Sequence, residues 1–175
     1  MANREALRDL QARLASRLQA AKAEGLSISW LAVRVAGADY LLPLAQSGEI
    51  FPLPTIQPVP YAQSWFLGVA NLRGGLYGVV DLAAFISGQA PPRTEQYWSE
   101  ASVITLNAAL EVNCALLVDG LSGLRHVSAF ASSEPPPAGA PPYFGNCYRD
   151  AQGARWQEIN LQQLSQMPEF LSISA

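Results

Sequence analysis

The spacing of apolar positions changes period early in the chain. Leu7, Leu10, Leu14 and Leu18 recur at intervals of three and four, which predicts an amphipathic helix over Glu5 to Glu24. Gly25 would end it, at a position where a left-handed residue is tolerated. The leucine stripe suits packing on its own domain and equally docking on another chain. From Ile28 the period drops to two: Ile28, Trp30, Ala32 and Arg34 alternate with Ser29, Leu31, Val33 and Val35, a strand with two mostly apolar faces. Gly37-Ala38-Asp39 is a turn, and Tyr40 to Leu44 returns as a second strand. Pro43 argues that this strand is bulged or lies at an edge. Gln46 to Ile50 continues extended until Pro52, Pro54, Pro58 and Pro60 interrupt any ladder.

Phe66 to Leu72 and Leu76 to Leu82 form a hairpin about Arg73-Gly74-Gly75, whose glycines supply the positive φ that a tight connection needs. Gly68 and Gly78, inside the strands, mark bends of the kind that turn the corners of a small barrel. Ala83 to Ile86 reads as one helical turn closed by Ser87-Gly88. Gln89 to Ser99, with Pro91-Pro92, is a polar connection and the candidate boundary between two lobes. Ala101 to Leu106 and Leu110 to Val118 form a further hairpin, and Leu121 to Val127 follows. Pro135 to Pro142 is a stiff surface connector. Tyr143 to Tyr148 and Arg155 to Leu161 make the last hairpin, about Asp150-Ala151-Gln152-Gly153. Leu161, Leu164 and Met167 give a closing helical turn before Pro168. About ten short strands punctuated by turns predict a mainly β chain of small barrels.

Composition adds one constraint. Half of the 175 residues are apolar and only 14% are charged, against about a quarter in an average domain. So little charge suggests that a partner covers some apolar surface. A net charge of −3 gives no electrostatic footprint for nucleic acid. No apolar run is long enough for a membrane span, and the charged start, Met1 to Arg8, is unlike a signal peptide. Cys114 and Cys147 form no disulfide framework and read as reduced, partly buried thiols of a cytoplasmic protein.

Catalytic constellations are not assembled. His126 is the single histidine, which rules out a multi-histidine metal site and reads as a half-exposed strand residue. No Gly-x-Ser-x-Gly elbow occurs, and Arg73-Gly74-Gly75 lacks the Gly-Lys-Ser/Thr of a phosphate loop. Asp81, Asp119 and Glu158 end separate strands, where turn hydrogen bonding is their natural role. Trp65 and Trp156 would line a pocket if the chain were instead a small-ligand-binding or hydrolytic β-barrel, which is the alternative reading.

The run Val59-Pro60, Trp65, Gly68-Val69-Ala70-Asn71-Leu72-Arg73-Gly74 and Val79-Val80-Asp81-Leu82 resembles the signature of CheW-like domains. Tyr40-Leu41-Leu42-Pro43-Leu44 with Glu49-Ile50, Leu116 to Leu121, and Arg155 to Leu164 follow in the family's order. The resemblance spans Ser29 to Met167 and is greatest to the version in type IV pilus chemosensory systems. It implies two packed five-stranded SH3-like barrels, with an N-terminal helix over 1–27, a CheW-like domain over 28–168 (lobes 28–95 and 96–168) and a tail over 169–175.

It further implies a cytoplasmic, non-enzymatic adaptor without cofactors, recruited to membrane receptor arrays. Such an adaptor joins the cytoplasmic tip of a methyl-accepting chemoreceptor to the regulatory domain of a CheA-type histidine kinase. A regulator of a different kinase on the same fold is a third reading. On the adaptor reading the receptor contacts are Asn71, Leu72, Arg73, Gly74, Val69, Val80, Glu49 and Ile50, with Arg73 the polar anchor or an internal bond that orders the hairpin. The kinase contacts lie in Gly37 to Leu44, through Tyr40, Leu42 and Leu44, with Asp81 less suited. Two positions depart from the family's pattern. Gly48 stands where a valine is usual and Gly75 where a bulkier residue is, and both are expected to alter receptor affinity rather than fold.

Overall fold

The computed structural model describes residues 2–23 and 29–175. Glu24, Gly25 and Ile28, at the expected helix end and strand start, lie outside the described residues. Helix α1 (Ala2–Ala23) precedes β1 (Ser29–Val35), β2 (Ala38–Pro43), β3 (Ser47–Pro52), β4 (Phe66–Leu72) and β5 (Gly75–Asp81). Next come α2 (Leu82–Ser87), α3 (Glu95–Glu100), β6 (Ser102–Leu106), β7 (Cys114–Val118) and β8 (Gly120–His126). The chain closes with β9 (Phe130–Glu134), β10 (Phe144–Asp150), β11 (Arg155–Ile159), α4 (Leu161–Gln166) and α5 (Pro168–Leu171).

The chain is mainly β, as expected, but its two sheets differ in strand number. One has six strands in the order β8-β1-β2-β11-β10-β9 and the other five, β3-β6-β7-β5-β4. The sheets do not partition as 28–95 and 96–168. β1 and β2 join the late strands, while β6 and β7 sit inside the five-stranded sheet beside β5. The β5–β7 contact is a parallel ladder from Gly78↔Cys114 to Asp81↔Leu117.

Residues alternating along single strands feed three apolar layers. Leu31, Val33 and Val35 of β1, Ile104 and Leu106 of β6, and Cys114, Leu116 and Val118 of β7 enter the large core that both sheets share. Val103, Ala115 and Leu117 point the other way, into a core with Ala70, Leu72 and Val79. On the outer side of the six-stranded sheet, Trp30, Ala32 and Leu41 pack with Trp156. The strands β6 and β7 are therefore buried on both faces, which accounts for much of the low charge content without a partner.

Several local expectations change. Pro43 is not on an edge strand: β2 lies between β1 and β11, and its parallel ladder with β11 covers only Tyr40 and Leu41, so Pro43 sits past the point where its missing N–H would matter. Leu44 opens a 3-10 turn (Leu44–Gln46) instead of extending β2. Residues 169–175 are built in: Phe170 is buried in the shared core, stacked on Trp65, and Ile173 and Ala175 bond to the backbone at Gln63 and Tyr61. β9 has no signal in the sequence, because its Ala131-Ser132-Ser133 run is exposed and carries no apolar alternation.

Candidate functional site

The β4–β5 turn has only two connecting residues. Leu72 pairs with Gly75, and the positive φ values fall on Arg73 (50°) and Gly74 (78°), the type I′ geometry that matches strand twist. Gly75, expected to carry one of them, is an ordinary paired residue. Asn71 Oδ1 accepts the Gly74 N–H at 2.9 Å, so Asn71 serves the turn, and Leu72 is enclosed in the core beneath it.

β3 and β4 are opposite outer strands of their sheet, yet the sheet curls until they meet. Gln57, in the segment leaving β3, exchanges two backbone bonds with Val69 of β4, at 2.8 and 2.9 Å. Gly68 permits this: its φ is +141° and a Cβ there would lie 2.2 Å from the Gln57 carbonyl oxygen. At the far end of the seam Arg73 Nε lies 3.0 Å from Glu49 Oε2, and the Arg73 guanidinium sits 6.0 Å from the Phe51 ring centroid. The Arg73 side chain stays 76% exposed.

The strand that holds Glu49 is set by Thr105 of β6, whose hydroxyl accepts the Glu49 N–H at 2.8 Å. That hydroxyl also explains Gly48. A Cβ there would fall 2.1 Å from Thr105 Oγ1 and 2.8 Å from the Leu106 carbonyl oxygen, so glycine is required by local packing. At Gly75 a Cβ would meet the rim of the Tyr77 ring at 3.0 Å and the Leu72 carbonyl oxygen at an ordinary 3.5 Å.

Glu49, Ile50 and Arg73 line one wall of a cleft of ≈ 340 Å³, and Ala12, Ala15 and Ser16 of α1 line the other. Val69 and Val80 belong elsewhere. With Phe66, Leu76, Phe170, Leu171 and other residues they line an apolar groove of ≈ 270 Å³ between the β4–β5 hairpin and α5. Leu76 and Leu171 are 65% and 53% exposed on its rim. Of the residues expected to meet a receptor, five thus divide between two concavities, while Asn71, Leu72 and Gly74 build the turn and the core beneath it.

Of the residues expected to meet a kinase, Leu42 and Leu44 are core and Asp81 is fully enclosed. Asp81 accepts a two-pronged pair from Arg93: Nη2 reaches Oδ1 at 2.7 Å and Nη1 reaches Oδ2. It also caps α2 by accepting the Ala84 N–H. Arg93, stacked near the rings of Tyr97 and Trp98, carries no signal in the sequence because it lies in a polar stretch with no periodicity. Burial opposes the Arg93 charge, and the bond and charge of Asp81 outweigh it, lifting its pKa above the usual arginine range. Tyr40 is half-buried near Phe144, and burial pushes its hydroxyl pKa up. The exposed remainder of that region is the β1–β2 turn at Ala36, Gly37 and Ala38, held by the Ala36 N–H donating to Asp119 Oδ2 at 2.7 Å.

Trp65 and Trp156 share no pocket, since Trp65 packs on the shared core and Trp156 belongs to the outer layer. His126 accepts the Ser128 N–H and caps a 3-10 turn. Among the described residues no cluster of His, Cys, Asp and Glu is suited to a metal ion, and no helix is long and apolar enough to cross a membrane.

Comparison with known proteins agrees with this architecture. Protein PilI of Pseudomonas aeruginosa is 28% identical over 165 residues, covering 93% of this chain and 89% of that protein. Chemotaxis protein CheW of Rhizobium meliloti is 30% identical over 98 residues, covering 56% of this chain and 60% of that protein. The crystal structure of the scaffolding protein TtCheW from Thermoanaerobacter tengcongensis superimposes with a TM-score of 0.63 at 18% identity, over 76% of this chain and 88% of that one. Residues 29–169 match the CheW-like domain, and with two sheets joined through a shared core and closed at Gly68 and Arg73, this chain belongs to the CheW-like family.

Proposed function

We propose that the chain is a non-enzymatic adaptor coupling the cytoplasmic tip of a chemoreceptor to the regulatory domain of a CheA-type histidine kinase. Its similarity to PilI favours a type IV pilus chemosensory pathway over a flagellar one. The carrying observation is the exposed Arg73–Glu49 pair at the rim of a cleft wide enough to receive a helix side chain. A planar guanidinium there presents forked donors to a carboxylate or helix-end carbonyl on a partner, while Ile50 supplies the apolar floor. A receptor hairpin laying one helix face along this cleft is a helix-in-groove contact.

The kinase domain meets the exposed β1–β2 turn at Ala36, Gly37 and Ala38, with Tyr40 behind it. Transient signalling contacts of this kind are small, on the order of 1,200 Å² or less, so a few anchors dominate. Coupling arises because both partners are held in one assembly.

Arg73→Asn tests the receptor half. Asn-Gly is the favoured type I′ pair, so the variant keeps the turn and removes only the charge. Binding to a receptor-tip hairpin, read by calorimetry, is expected to weaken at least about tenfold, the usual scale for a polar anchor. Undiminished binding by a folded variant overturns the assignment.

A further inference from the structure

We infer that α1 is a displaceable wall of the receptor-facing cleft, moved off β3 when a receptor helix binds. The inference rests on the reading above and adds its regulation. α1 lies along β3 and β8, which are outer strands of the two different sheets. It therefore straddles the joint between lobes and walls the Glu49–Ile50–Arg73 cleft with Ala12, Ala15 and Ser16. Ile50, the apolar residue a receptor would need, is only 7% exposed and shares the core cluster with Leu14 of α1. Two helices pack with axes about 8–10 Å apart, so a second helix cannot reach Ile50 while α1 lies across it.

Over residues 3–17, where the side chains of α1 are described, its hold is light. Among its described side chains only Gln11 and Leu14 are buried. Gln11 donates from Nε2 to Ser102 Oγ at 2.6 Å, and Leu14 enters the core. Leu10, in the leucine stripe, is 48% exposed. The inward positions are thus 11 and 14, with Leu7 and Ala15 half-buried, and Leu10 of the stripe does not join them. A helix so seated leaves part of its apolar surface unused, and its exchange for a better-matched partner helix costs few contacts.

A closed state of this kind lowers apparent receptor affinity by the fraction of open molecules. Loosening α1 is then expected to tighten binding. The experiment uses the full chain and a synthetic helical hairpin corresponding to a chemoreceptor's cytoplasmic tip. Amide hydrogen exchange in residues 2–23 is followed with and without saturating hairpin, and affinity is measured for Leu14→Ala. Gln11→Ala, which removes one hydrogen bond, replaces it if Leu14→Ala does not fold. The expected result is exchange in α1 about tenfold faster on binding and several-fold tighter binding by the loosened variant. Binding that leaves α1 equally or better protected overturns the displacement while leaving the adaptor reading standing. Absence of hairpin binding by every variant removes both.

Discussion

Arg73 Nε and Glu49 Oε2, 3.0 Å apart, join the two outer strands of the five-stranded sheet across the mouth of a cleft. The pair is too exposed to carry much of the fold, since ion pairs in water are worth less than about 1 kcal/mol. On the adaptor reading proposed above, the pair serves recognition. Glu49→Arg and Arg73→Glu are each expected to weaken receptor binding while shifting stability by less than about 1 kcal/mol. The combined swap restores the pair in reverse. If Arg73 touches the receptor, calorimetry on the double variant still shows weak binding. Recovered binding would mean that the pair only orders the seam.

The buried Asp81–Arg93 pair behaves oppositely. With Asp81 fully enclosed and the Arg93 side chain only 6% exposed, Asp81→Ala strands a buried cation and is expected to cost about 3–5 kcal/mol. Urea denaturation at neutral pH measures this. Asp81→Leu with Arg93→Met, which removes both charges, should cost clearly less than the single variant.

Gly68→Ala puts a methyl group against the Gln57 carbonyl oxygen at a φ that side chains rarely adopt. A loss of more than about 2 kcal/mol is expected, with the Gln57–Val69 backbone bonds opening to hydrogen exchange. Gly37→Ala is the comparison, having a positive φ but nothing within 4 Å, and should cost only about 1 kcal/mol.

Burial pushes the Cys114 thiol up to about 12 from an ordinary 9.0. Burial likewise raises the Tyr143 hydroxyl to about 12 from 10.0. Both groups hold their protons more tightly folded than unfolded, so their contribution is complete below the unfolded values and is lost as pH climbs through the folded ones. These two groups should leave stability level between about pH 7 and 9 and make it fall between pH 9 and 12. A disulfide reagent at pH 8 should label Cys114 only after denaturant is added.

At the β1–β2 turn, Ala38→Arg changes an exposed residue and leaves the core untouched. It is expected to weaken binding to the kinase regulatory domain in a pull-down while receptor binding and melting temperature stay level. Equal loss of both partners would point to a disturbed fold and not to a kinase surface.

Much of the fold was legible because burial on a strand has a strict period. Leu31, Val33 and Val35 against Trp30 and Ala32 announce two apolar faces before any contact is known, and Gly68, Arg73-Gly74 and Gly88 mark where the backbone must turn. The candidate site was legible in part. Glu49, Ile50 and Arg73 line one cleft, whereas Val69 and Val80 face a different groove and Leu42, Leu44 and Asp81 are enclosed. An alternating pattern says which residues share a face, but not which face meets water. Arg93 illustrates the same limit, since its partner Asp81 lies twelve positions back and no local period links them.

Local chemistry, then, determined the strands other than β9, the tight turn and the helix over the first residues, because φ preferences and side-chain period act within a few positions. Strand partners, the return of β1 and β2 to the late strands, and the placing of α1 over β3 were decided only in three dimensions. There, the requirement that both faces of β6 and β7 be covered selected among arrangements that the chain's local preferences leave equal.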